Sequence, residues 1–215
     1  MLAKLIAAGA VGALLGAAVV ASAAPEFNLR GNRFKPLAYE QLTPAQKAYA
    51  DKEIAGGRNP GQGPFNIYLR SPEFAELSAP LSNYLRFKAP LDRKLKEIAT
   101  MLTARYWGGQ YVWYSHRQQA LDAGLNPAFI TAMSKGERPA NMSADEATMY
   151  DFVTDLLQTR QISDANFKAM ADKFGERGIV ETIATMGHFT SLTMLFVADK
   201  YPVPPGAPDA VNKPM

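Results

Sequence analysis

From Asp92 onward the apolar residues return at helical spacing. Leu95, Ile98, Ala99, Leu102 and Tyr106 fall at i, i+3, i+4, i+7 and i+11, so they share one face of an α-helix. Such a stripe has to be covered by other elements, and the flanking segments also read as helices. Neither alternating strand patterns nor Asn-Gly hairpin signals interrupt them. Short connections between helices favour a compact bundle. The body of the chain is therefore expected to be all-α.

Start and stop signals divide that body. Thr43-Pro44 opens a first helix, with Thr as N-cap and Pro in the first turn; Ala45, Ala48, Tyr49 and Ile54 follow on roughly one face, and Gly56-Gly57 ends it. The Gly- and Pro-rich run Arg58 to Pro64 reads as a loop. Ser71-Pro72-Glu73 starts a helix carrying Phe74, Leu77, Leu81 and Leu85. Gly108-Gly109 breaks the helix that begins at Asp92, and another runs from about Gln110 to Gly124. Asn126-Pro127 begins the next, with Phe129, Ile130 and Met133 inward. Ser143-Ala144-Asp145-Glu146 is a capping box opening a longer helix with Met149, Phe152, Val153, Leu156 and Leu157. Ser163 caps a segment that ends at Gly175. A final helix from about Arg177 to Lys200 holds Ile179, Val180, Ile183 and Met186.

The ends read differently. Lys4, the apolar stretch Leu5 to Val20 and the small residues Ala21-Ser22-Ala23 form the pattern of a signal peptide over residues 1–23. An uncleaved anchor is the alternative, but the stretch falls short of the ~20 apolar residues that span a bilayer. Export to the periplasm or outside the cell is expected, with no membrane contact after cleavage. Residues 24–42 read as an extended arm, 43–201 as the helical domain, and the Pro-rich segment 202–215 as a flexible tail. A chain of 215 residues suits one well-buried domain. The net charge of +3 is too small and too scattered to suggest nucleic-acid binding.

The chain has no cysteine. Cysteine nucleophiles, disulfide exchange and thiol peroxidase chemistry are excluded for it. Attention passes to His116, because an imidazole takes and gives protons near neutral pH, and to Glu97 on the preceding helix. The Gly108-Gly109 break allows two separate helices to bring these side chains together. Arg93 and Lys94 offer Glu97 an ordinary helix ion pair instead, and His116 has a packing role open to it beside aromatics.

The stretch from Gly63-Pro64-Phe65-Asn66 to Phe174-Gly175-Glu176-Arg177-Gly178, and on to about Leu195, resembles the carboxymuconolactone decarboxylase family of the AhpD-like superfamily. The motifs run in the family's order: Leu69-Arg70-Ser71-Pro72-Glu73, Ala104-Arg105-Tyr106-Trp107, Tyr111 with Trp113 and His116, then Ala123-Gly124-Leu125. AhpD-like relatives carry Glu, eleven residues, Cys-x-His-Cys, three residues and His. Counting from Glu97 puts Gly109 and Val112 at the cysteine positions, Tyr111 at the inner His and His116 at the last. The outer residues match and the sulfur is missing.

The resemblance implies an AhpD-like helical bundle that assembles as a dimer, trimer or hexamer. It also implies proton transfer or decarboxylation on a small carboxylated or cyclic substrate, with His116 and Glu97 as catalytic residues. Arg105, Tyr111 and His188 are the candidates for substrate binding: a cation for a carboxylate, a hydroxyl donor and a second imidazole. Neither a metal nor another cofactor is expected, although His188 facing His116 would raise the question of a metal. A hydroperoxide reductase and a non-catalytic binding or scaffold protein are the competing readings.

Overall fold

The computed structural model describes residues 33–35, 37–207 and 211. The expected signal peptide, most of the arm and most of the end of the tail lie outside the described residues. A 3-10 turn, Tyr39–Gln41, leads into α1 (Pro44–Ala55), α2 (Gly63–Tyr68), α3 (Pro72–Asn83) and a widened π turn, Tyr84–Lys88. Then follow α4 (Arg93–Tyr106), α5 (Gln110–Asp122), α6 (Pro127–Lys135), α7 (Ala144–Thr159) and α8 (Asp164–Asp199). No strand occurs among the described residues.

Side-chain caps fix several starts. Thr43 accepts from Gln46 N–H and Ser143 from Glu146 N–H, each within a reciprocal capping box. Asn126 and Ser163 cap α6 and α8. Ser71 makes no such bond at α3, so Pro72 with its fixed φ is the local start signal there. α8 bends at Gly175, whose φ of 67° and ψ of 174° are open to a residue without Cβ. The two helices expected around Gly175 are present, meeting end to end at this non-helical residue.

α4 is the central helix, packed against α5, α7 and α8. Every residue from Leu95 to Arg105 is buried. The sequence suggests a single apolar face, but neighbours on several sides cover the polar positions as well. Around α4 lies one apolar cluster, including Leu95, Ile98, Leu102, Trp113, Met149 and Phe152. A second joins α1, α2 and α3 to the far part of α8, through Tyr49, Ile67, Leu69, Phe189 and Phe196. Burial of this kind, at ~25 cal/mol per Å² of apolar surface, is the main stabilising term.

The flanks are less covered. On α1 the buried residues are Tyr49, Ala50 and Glu53, while Ile54 is exposed. On α3 they are Ala75 and Ser78, while Phe74, Leu77 and Leu81 face outward. α8 buries Ile179 and Met186 and exposes Val180 and Ile183. The stretch after α8, read from sequence as a flexible tail, is tied down at Val211. That residue is buried, and its N–H donates to Gln110 Oε1 at 2.8 Å while its carbonyl accepts from Gln110 Nε2.

Candidate functional site

α4 and α5 turn back on one another through Trp107, Gly108 and Gly109, where Gly109 N–H donates to Ala104 C=O at 2.8 Å. The reversal brings Glu97 Oε2 to 2.7 Å from His116 Nδ1. Both residues are buried, at 5% and 6% exposure. Lys94 pairs with Glu146 of α7 at 2.8 Å instead of with Glu97, so the exposed helix ion pair open to Glu97 is not what forms. The His116 ring also meets Phe189 of α8 edge-on, 4.8 Å between centroids.

Phe189 packs against both imidazoles, for the His188 ring lies 5.1 Å from its own, centroid to centroid. His188 is buried and its Nε2 has no partner. Burial, with Arg86 and His116 nearby, pushes its pKa down to about 4, so the ring is uncharged at neutral pH.

Arg86 comes from the π turn, which is closed by Ala89 N–H donating to Tyr84 C=O at 2.8 Å. Widened turns of this kind often mark functional sites. Its guanidinium donates to Gln119 Oε1 at 2.6 Å, while Nε is buried without a partner. Burial lowers its pKa and the Glu97 carboxylate opposes that. Arg86 and His188 line a cavity of about 540 Å³ with Tyr49, Phe65, Tyr68 and Leu192 among its walls. Neither Glu97 nor His116 belongs to that lining.

The remaining expected residues lie elsewhere. Arg105 is eight residues beyond Glu97, ~12 Å along the same helix. Its guanidinium passes Gly136 so closely that a Cβ there would lie 2.3 Å from it, and Tyr150 is its other neighbour. Tyr111 packs on Phe196 and Tyr201, at 4.7 and 4.5 Å between rings, and lines a separate cavity of about 250 Å³. His188, by contrast, does sit beside the Glu97–His116 pair. Arg86 and Tyr49 escaped sequence reasoning as site residues; Arg86 stands in no motif, and Tyr49 read as core.

Val112 is buried in the second apolar cluster, and a Cβ at Gly109 would come within 2.2 Å of Thr193 Cγ2. The positions that hold sulfur in the resemblance are thus packed over. Among the described residues, no group of three or more His, Asp or Glu side chains is arranged to hold a metal ion.

No family model and no curated protein matches the chain. Among solved structures it is similar to one from Agrobacterium tumefaciens, described as a protein of unknown function and a candidate AhpD antioxidant defence protein. The TM-score is 0.58 at 18% identity, and the match covers 65% of this chain and 96% of that one. A likeness at this identity is one of fold. The chain has the AhpD-like all-helical fold.

Proposed function

We propose that this protein is a proton-transfer enzyme that uses the AhpD-like fold without thiol chemistry. The reaction type is that of the carboxymuconolactone decarboxylase family: proton movement, or loss of carbon dioxide, on a small carboxylated or cyclic substrate. The observation that carries the reading is the 2.7 Å contact between Glu97 Oε2 and His116 Nδ1 inside the bundle. A carboxylate that accepts from Nδ1–H orients the ring and leaves Nε2 to exchange a proton with substrate. Decarboxylation breaks a carbon–carbon bond and leaves its electron pair in an enolate, to whose carbon an imidazolium then returns a proton.

Export and self-association are part of the proposal. The residue 1–23 pattern supports the first. Exposed Phe74, Leu77 and Leu81 on α3 support the second, because apolar surface of this sort marks contacts between proteins. A binding protein without catalysis is the second reading, favoured by the absence of both catalytic candidates from the lining of the large cavity.

The test is to screen purified protein against carboxylated lactones and related enol acids, with His116→Ala alongside. Turnover by the natural chain and a ~10²–10⁴-fold loss in the variant are expected of a general acid–base. Equal turnover by both proteins removes His116 from the mechanism, and no turnover by either leaves the binding reading.

A further inference from the structure

Three residues that line one cavity each carry a buried polar atom without a hydrogen-bond partner. The atoms are Tyr49 Oη from α1, Arg86 Nε from the π turn and His188 Nε2 from α8. Tyr49 is 3% exposed and His188 8%. An unpaired buried polar group costs ~1–3 kcal/mol, and native folds leave few of them. Their gathering from three separate elements around one space of about 540 Å³ points to an occupant that pairs them.

The chemistry of the wall narrows the occupant. Lys52 is matched to Glu76 at 2.5 Å, and Arg58 is bonded to Glu53. Arg86 makes no ion pair among the described residues; its hydrogen-bond acceptor is the neutral amide of Gln119. Arg86 is therefore a desolvated cation without a salt bridge, on which the Glu97 carboxylate acts only through space. Tyr49 keeps its phenolic proton, since burial and Glu53 raise its pKa, and so it offers a donor. Phe65, Tyr68, Phe87 and Leu192 supply ring-sized apolar surface. The volume is within the range of small-molecule sites.

We infer that this cavity binds a small ring-bearing carboxylate with a second oxygen, its carboxylate on Arg86 and the other oxygen accepting from Tyr49. His188 lies in the wall as an uncharged imidazole whose Nε2 meets the ligand. The inference does not rest on proton transfer by His116, because neither Glu97 nor His116 lines this space.

The experiment is a calorimetric titration of the full chain with 4-hydroxyphenylacetate, phenylacetate and 4-methylphenol. Saturable one-to-one binding is expected, tightest for 4-hydroxyphenylacetate. Arg86→Gln should weaken both acids at least ten-fold. Tyr49→Phe should weaken 4-hydroxyphenylacetate several-fold and leave phenylacetate unchanged. Arg86→Lys, with its charge kept and its planar fork lost, takes the place of Arg86→Gln if circular dichroism shows the latter unfolded, and should weaken the acids several-fold. Val180→Ala, on the exposed face of α8, should bind as the natural chain does. No saturable binding of either acid overturns the inference. So does binding that ignores both the Arg86 and Tyr49 substitutions, or 4-methylphenol binding as tightly as the acids.

Discussion

α3 and α4 carry apolar residues at the same helical spacing and meet opposite fates. On α4 the stripe Leu95, Ile98 and Leu102 disappears among α5, α7 and α8, and the polar residues between go with it. On α3 the stripe Phe74, Leu77 and Leu81 faces out, Leu77 at 75% exposure, and the small residues Ala75 and Ser78 face in. Spacing names the residues that share a face; it does not say what covers that face. Polar groups do not divide the same way. Beside α4, Glu97 has its imidazole and Lys94 its carboxylate, but Arg105 Nε on that helix is buried without a partner, as is one atom in each of three residues lining the cavity next to α3.

The sharpest way to break this comparison is to truncate the buried stripe. Leu102 is 1% exposed, so Leu102→Ala should cost about 2–5 kcal/mol through lost burial and the void left behind. Urea unfolding measures it, and a cost under about 1 kcal/mol would mean that α4 is not the packed centre.

A slightly smaller effect is expected where α8 meets the α3 side. His188 titrates near 6.5 when unfolded and at about 4 when folded. Between those values the unfolded chain binds a proton that the folded chain does not. The stability His188 permits is therefore complete above pH 6.5 and is lost as pH falls toward 4. Arg86 from the π turn and His116 from α5 both face this ring and work against its protonation. His188→Gln removes that share of the slope, up to about 3 kcal/mol at pH 4. Urea melts of both proteins from pH 7 to pH 4 give the difference, and parallel curves would show that His188 is not held neutral.

The α4–α5 junction comes next. Gly109 has an ordinary φ of −79°, so backbone strain is not what excludes a side chain. Thr193 Cγ2, fully buried, occupies the space a Cβ would need. Gly109→Cys should cost about 1–3 kcal/mol by overpacking, and Thr193→Ala in the same chain should recover part of it. A double-mutant cycle reads this as favourable coupling; additive costs would mean that Thr193 does not fill the gap.

What was legible in the sequence was local. Thr43, Asn126, Ser143 and Ser163 cap as their side-chain oxygens dictate, and the bend at Gly175 falls where glycine permits it. The Glu97–His116 meeting followed from two helices hinged at Gly108-Gly109. What stayed hidden depends on distant packing. Arg105 is close in sequence to the pair yet two helical turns away along a rigid rod, and it reaches toward α6 and α7. Arg86 lies in no pattern, and only the approach of α5 and α8 to the π turn sets it beside Gln119 and His188. The burial of Val211 likewise depends on Gln110, 101 residues earlier.

The smallest expected effect returns to the exposed stripe. Leu77→Ala removes a side chain already in water and replaces it with the best helix former, so lost burial and gained propensity nearly cancel. For an uncovered face, stability should change by no more than about 0.5 kcal/mol and should not depend on protein concentration. If a second copy covers α3, as the self-association proposal holds, truncation removes surface from an interface. The loss then exceeds that bound at the higher concentration, and it shrinks on dilution because association contributes by mass action. Urea unfolding at two protein concentrations a hundred-fold apart, with sedimentation of both chains, decides between the two. A concentration-independent change within the bound, with an unaltered monomeric sedimentation coefficient, would sink the proposal that α3 is an interface.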